Sequence, residues 1–268
     1  MMKMIKIPKQ DELDSFVKSR FYALIDEQDS SRLDRAIEEY ERVVPFGIDQ
    51  NIEQSSQKIS SDAHLIMRLV ATFYLKTTFS ALKIDTDDEN IKESLKDGNI
   101  GTAGRIIKMY TGSSLTDERE LLSGRWSSEP RMALFDNSSN SSEPVFVTTK
   151  LDALCSHHFI RFGQEQDSKS YVVVGYIPRK KLGGISKINR FVNWCARRGW
   201  LQEDLTRYIG KKIEKVFETD SVFVSLSNLK HGCTAYRGAC DSEATVSTTY
   251  LSGDFKHNKS LIPKRYLS

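Results

Sequence analysis

Cys155-Ser156-His157-His158 sets a thiol and an imidazole in a C-x-x-H spacing, with a second imidazole beside them. That spacing can close two side chains around one metal ion, and zinc accepts both donor types. Core packing accounts for such a spacing equally well when nothing else is added. A third donor, Cys233, stands in His231-Gly232-Cys233, at the end of an expected strand. The chain has four cysteines (Cys155, Cys195, Cys233, Cys240) and five histidines, and three of the histidines lie within four residues of a cysteine. For an intracellular chain of this length a disulfide framework is not the expected use of these cysteines, which leaves metal binding, catalysis or burial.

Three protein ligands would leave a fourth position open, the mark of a catalytic zinc. A structural zinc would instead recruit Cys240, His257 or His157 as a fourth ligand. An open zinc lowers the pKa of bound water to about 7, and spare histidines at 157 and 231 could then move protons. Lys187 and Arg190 are three apart at an expected helix start, behind Gly183-Gly184. They share a face there, and a helix N-terminus with a close-approaching glycine backbone favours anions. Glu203 opens the next helix. On the residues alone it is read first as a carboxylate complementing the helix dipole.

The elements that must position these residues divide the chain in two. Leu13, Phe16, Val17, Phe21, Leu24 and Ile25 recur at helical spacing, as do Leu33, Ala36, Ile37 and Tyr40 behind an expected cap at Ser31. A third helix is expected over about 62–82 and a short one over 105–110. Together they make a helical region over 1–110. Residues 111–143 are rich in Ser and charge and read as a loop or insertion. From 144 onward the pattern changes. Val145–Thr149, Tyr171–Ile177, Val222–Leu226 and Thr245–Leu251 are β-branched and aromatic strands. Two amphipathic helices, about 186–198 and 202–217, lie between the second and third strands. The order ββααββ predicts an α+β layer, an antiparallel sheet with a helix pair on one face, over 144–268.

Lys and Arg exceed Asp and Glu by three (39 against 36), so no charge imbalance points to nucleic acid. The first residues lack the apolar core of a signal peptide, and the most apolar run is too short to span a bilayer. A cytoplasmic protein without a membrane or nucleic-acid partner is the expectation.

The motifs resemble those of the GTP cyclohydrolase I family. Its Cys-Glu-His-His stretch is matched by Cys155-Ser156-His157-His158, and its Gly-Leu-Ser-Lys helix start by Gly184-Ile185-Ser186-Lys187 with Arg190 following. Its Gln-Glu-Arg-Leu-Thr segment is matched by Gln202-Glu203-Asp204-Leu205-Thr206. Its His-x-Cys-x-x-x-Arg-Gly segment is matched by His231-Gly232-Cys233 and Arg237-Gly238. The family's Thr-Pro-x-Arg helix is similar to Thr102-Ala103-Gly104-Arg105. The resemblance covers about 145–256, with a weaker stretch near 100–110. Ser156 departs from the family's Glu, and Ala103 from its Pro.

The resemblance implies the tunnelling fold and a homo-oligomer, a decamer of two stacked pentameric rings with sites at subunit interfaces. It implies Zn2+ on Cys155, His158 and Cys233, and GTP as substrate, hydrolysed to formate and 7,8-dihydroneopterin triphosphate. His231 would donate a proton to the guanine imidazole ring, and His157 would be a second acid or base. Ser186 would assist the ribose rearrangement. Glu203 would anchor the base with Gln202 beside it. Lys187, Arg190 and Arg237 would clamp the triphosphate, with Arg105 and Lys108 reaching in from a neighbouring subunit. Two rivals stand beside this: a divergent cyclohydrolase that stops at a ring-opened product or takes another guanine nucleotide, and a non-catalytic zinc-stabilised ring. Folate, biopterin and 7-deazaguanine synthesis all start from this reaction, and the sequence does not choose among them.

Overall fold

The computed structural model describes residues 8–43, 59–94, 99–113, 120–163, 170–236, 238 and 240–267. The chain forms two compact units, one from 1–46 and 57–127, the other from 47–56 and 128–268.

The first unit is helical. α1 (Gln10–Ile25), α2 (Ser30–Glu41) and α3 (Ser61–Ala81) bury Leu13, Val17, Phe21, Leu33, Ala36, Ile66 and Leu69 against one another. The cap of α2 is Asp29 rather than Ser31: its carboxylate accepts from the Ser31 and Arg32 N–H groups. α4 (Gly101–Thr111) begins four residues before the expected start, with Asn99 Oδ1 accepting from the Gly101 N–H. Two glycines in its first turn hide it from a propensity reading.

The second unit carries a four-stranded antiparallel sheet. After a short helix, α5 (Ser123–Trp126), at the end of the first unit, come β1 (Leu134–Asp136), β2 (Val145–Thr149), β3 (Ala153–Cys155), β4 (Ile160–Phe162), β5 (Tyr171–Tyr176) and β6 (Lys181–Gly183). Helices α6 (Ile185–Ala196) and α7 (Gln202–Phe217) follow, then β7 (Val222–Lys230), α8 (Gly232–Tyr236), β8 (Thr245–Leu251) and α9 (Gly253–His257). The main sheet runs β2-β5-β7-β8, so the α+β order ββααββ stands. The central strands have both faces covered, which is why Tyr171–Tyr176 reads as an unbroken apolar run. Val172 and Val174 pack on Ile188, Phe191, Leu205, Ile209 and Phe217 of the helix pair. Val173 and Phe223 pack on Phe255, Ile262 and Tyr266 from the C-terminal segment. Each such side chain contributes about 2 kcal/mol by burial.

The stretch 111–143 is more than a loop. It holds α5 and β1, and β1 pairs with β6 (Leu134↔Gly183, Asp136↔Lys181). Its residues 114–119 lie outside the described ones. Among the described residues no helix is long and apolar enough to cross a membrane.

Candidate functional site

The C-x-x-H stretch lies on a hairpin. β3 and β4 pair antiparallel with Cys155 opposite Ile160, and Ser156 to Phe159 make the turn. The Phe159 N–H donates to Cys155 O at 2.9 Å, and Phe159 takes the left-handed conformation (φ 54°) that closes the loop. Cys155 is buried at the strand end, His158 half-buried and His157 exposed, with the two imidazole rings 4.3 Å apart. Ser156 Oγ is buried without a hydrogen-bond partner among the described residues.

Two backbone bridges bring other segments to this hairpin. Cys155 pairs in parallel with Trp200: the Trp200 N–H donates to Leu154 O, and the Ser156 N–H to Trp200 O. Two residues after Trp200, α7 begins with Gln202 and Glu203. On the other side, Phe162 of β4 bridges His231, and the two rings stack at 4.5 Å with planes 7° apart. Gly232 permits that approach, because a Cβ there would overlap Ile160 Cγ2 and stand 3.1 Å from Arg161 O. Gly210 does the same for α7, whose backbone lies against the Tyr250 ring of β8.

Cys233 therefore sits in the first turn of α8. It does not end a strand, because β7 runs on to Lys230 before the chain turns. Cys155, His158 and Cys233 occupy adjoining segments, but among the described residues no group of three His, Cys, Asp or Glu is arranged to hold a metal ion. Cys240 is exposed and lies beyond α8.

His231 is partly exposed. Burial pushes its pKa down, and the nearby Glu203 carboxylate acts against that shift. Glu203 itself is exposed in the first turn of α7, so the dipole role and a ligand role are both open to it. Gln202 differs from its expected place beside a base. It is only 2% exposed and its amide is turned inward, toward the sheet and His231.

Ser186 and Arg190 are exposed and Lys187 half-buried in the first turns of α6, which follows Gly184 directly. Arg105 and Lys108 are exposed on α4, in the helical unit. Arg105 donates to Asn99 Oδ1, Thr102 Oγ1 and Asn90 O. Arg237 lies outside the described residues. Phe162, Trp200 and Thr248 were absent from the sequence-derived set. The signal available for Phe162 was its place two residues after Ile160, an apolar pair alternating with Arg161 just after the histidines.

The sequence model described as GTP cyclohydrolase I matches residues 77–265, a longer stretch than the motifs span. A GTP cyclohydrolase 1 of Vibrio vulnificus (strain YJ016) is 33% identical over 187 residues, covering 69% of this chain and 76% of its own. One from Buchnera aphidicola subsp. Schizaphis graminum (strain Sg) is 31% identical over 195 residues, covering 72% and 79%. A crystal structure of the archaeosine synthase QueF-Like in the apo form aligns with 42% of this chain and 96% of its own. Its 21% identity and TM-score of 0.30 are too low to bear on fold or function.

Proposed function

The chain belongs to the GTP cyclohydrolase I family of hydrolases, and from that premise we propose that it opens the imidazole ring of GTP with the help of zinc. The carbon between the two ring nitrogens leaves as formate, the ribose rearranges, and closure gives 7,8-dihydroneopterin triphosphate. One water is consumed overall. The observation that carries this reading is the double bridge to the hairpin: Cys155↔Trp200 brings Glu203, and Phe162↔His231 brings the second acid–base group.

Two thiols and an imidazole, from Cys155, Cys233 and His158, are a donor set that suits zinc. Bound there, zinc would supply Lewis acidity and a water that ionises near neutral pH. The chain's own residues do the rest. Glu203 offers two acceptor oxygens to the paired N–H donors of guanine, an edge adenine lacks. His231 moves a proton to the imidazole nitrogen as the ring opens, and exposed His157 serves a later transfer. Ser186 lies toward the ribose. Lys187, Arg190 and Arg237 take the triphosphate at the start of α6, where backbone N–H groups already favour an anion. Arg105 and Lys108 complete that clamp from a neighbouring subunit.

The same family premise gives a decamer of two pentameric rings. Its support in the chain is the pair of open sheet edges, β2 and β8, together with apolar side chains left exposed around the site. Ile185 is 63% exposed, Phe159 46% and Tyr236 80%, and a second copy would cover them.

One observation favours a second reading. Ser156 stands where the family carries Glu, and its hydroxyl is buried without a partner among the described residues. A missing carboxylate beside the histidines is compatible with an enzyme that stops at the ring-opened product. Formate release from GTP, measured with and without added zinc, decides between them. Formate together with a product that fluoresces after oxidation is the expected result. Formate without fluorescence establishes the truncated reaction. Neither signal from an assembled, zinc-loaded protein overturns the enzyme reading and leaves a non-catalytic ring.

A further inference from the structure

A break in the sheet lies near the end of β7, the strand that leads into His231. Leu226 pairs with Thr248 and Leu229 with Val246, so Ser227 and Asn228 of β7 face the single residue Ser247 of β8. Asn228 takes φ 52°, its N–H donates to Ser247 Oγ, and its carbonyl accepts from Ser170 Oγ. This is a β-bulge, the device that re-aims side chains at sheet ends. Carbonyls on both sides of the break, Leu226 O and Val246 O, accept from Gln202 Nε2 at 3.3 and 3.2 Å.

Those carbonyls can only accept, so the amide nitrogen of Gln202 must face them. Thr248 Oγ1, 3.1 Å from the same nitrogen, agrees with that orientation. Thr206 donates to Gln202 O and so accepts from Thr248, which leaves Thr248 Oγ1 free to accept from Gln202. Gln202 Oε1 is thereby fixed toward His231 Nε2, at 2.7 Å. A carbonyl oxygen cannot donate, so His231 Nε2 must carry the hydrogen. The ring is held on its face as well, by the stack on Phe162.

We propose that Gln202 is a positioning residue, anchored across the β7 bulge, that fixes the plane and tautomer of His231. Nε2–H is committed to Gln202, and Nδ1 is the nitrogen left to take up a proton and then pass it to a substrate. The inference rests on the acid–base role proposed for His231, and it replaces the base-binding role expected for the Gln202 side chain. A histidine that must exchange a proton at one atom gains from having the other atom occupied, because a flipped ring or wrong tautomer presents a useless group.

Two variants of Gln202 separate positioning from simple support of the sheet. Gln202→Met keeps the volume and loses both the acceptor and the donors. Gln202→Glu keeps the acceptor for His231 and loses the donors to Leu226 O and Val246 O. The expected result is a kcat for formate release lower by about 100-fold in Gln202→Met, with KM for GTP and bound zinc unchanged, and a loss of under about tenfold in Gln202→Glu. In a His231→Ala background, Gln202→Met should have no further effect on kcat. Equal losses in the two Gln202 variants, or an additive loss in the double variant, would overturn the proposal in favour of a supporting role. Crystal structures of the wild type and Gln202→Met give a readout independent of turnover. The His231 ring should leave its place over Phe162, or occupy two orientations, only in the variant. An unmoved ring overturns the proposal, even if GTP proves not to be the substrate. A protein that releases no formate but shows the ring movement fails the functional reading alone.

Discussion

Each of the two compact units holds a histidine whose Nε2 meets an oxygen, and the two are built for opposite ends. In the helical unit, His64 on α3 is 2% exposed and donates to the backbone carbonyl of Thr111 at 3.0 Å. In the sheet unit, His231 is partly exposed and donates to a side chain that is itself held by three acceptors. Burial lowers the pKa of both, to about 4 for His64, where Arg68 adds to the effect. A shifted imidazole therefore does not mark a functional site by itself. What separates His231 is company: a stacked ring, the charge of Glu203 and the hairpin of Cys155, His157 and His158, on a surface that a ligand can still reach. His64 is sealed from solvent with its Nε2 spent on the Thr111 carbonyl.

The largest test of that contrast exchanges the two residues' fates. His231→Ala should lower formate release about a thousandfold, within the range for loss of a general acid–base group, and cost only about 1 kcal/mol of stability for the Gln202 acceptor left without its donor. His64→Ala should do the reverse: turnover per folded molecule stays, and stability falls by about 2 kcal/mol as the Thr111 carbonyl loses its donor and a void opens. Single-turnover formate assays beside denaturant melts measure both. A His64→Ala protein that melts normally but turns over slowly would erase the distinction.

The ββααββ order could be read because its parts are long and periodic: Tyr171–Tyr176 is a strand on β-branching alone, and α7 repeats Leu205, Ile209 and Ile213 on one face. β3 and β4 could not, since three-residue strands around two histidines leave no period to count. The extension of β7 through Ser227-Asn228 to Lys230 was hidden because a bulge looks like a turn in sequence, and it moved Cys233 from a strand end into a helix. Gln202 fell on a motif position, yet the direction of a first-turn side chain is decided by what packs against it, here the Leu226 and Val246 carbonyls that accept from its amide. The motif residues gained their roles from family resemblance; spacing alone gave only a thiol and an imidazole that could share a metal.

A smaller effect, in pH, sharpens the comparison from the helical side. His64 titrates at about 4 in the folded chain against an ordinary 6.5. Between those values the unfolded chain binds a proton that the folded chain refuses. The stability His64 contributes is therefore complete above pH 6.5 and is lost as the pH falls toward 4, by about 3 kcal/mol over the interval. His64→Gln can still donate to Thr111 O but cannot titrate. Urea midpoints followed from pH 7 to 4.5 should fall more steeply in the wild type than in this variant, and parallel curves would show that His64 is not the group responsible.

The smallest effect concerns how His64 is delivered to its place. α3 is capped by Ser60, whose Oγ accepts from the Ala63 N–H at 3.1 Å, and Glu39 on α2 reaches both the Ser60 hydroxyl and its N–H. This cap fixes the first turn, four residues before His64, and binds the start of α3 to α2. Ser60→Ala removes the acceptor and the hydroxyl donor, leaving Glu39 only the backbone N–H. A cost of about 1 kcal/mol is expected, seen as a drop of about 2–4 °C in melting temperature for a chain of this size. Ser60→Asp restores an acceptor for Ala63 but opposes Glu39 with like charge, so it should recover only part of the loss, and more of it at high salt. Formate release should be the same in all three proteins. If Ser60→Ala slows turnover as much as it lowers stability, the helical unit has a share in the chemistry that its sealed histidine gives no sign of.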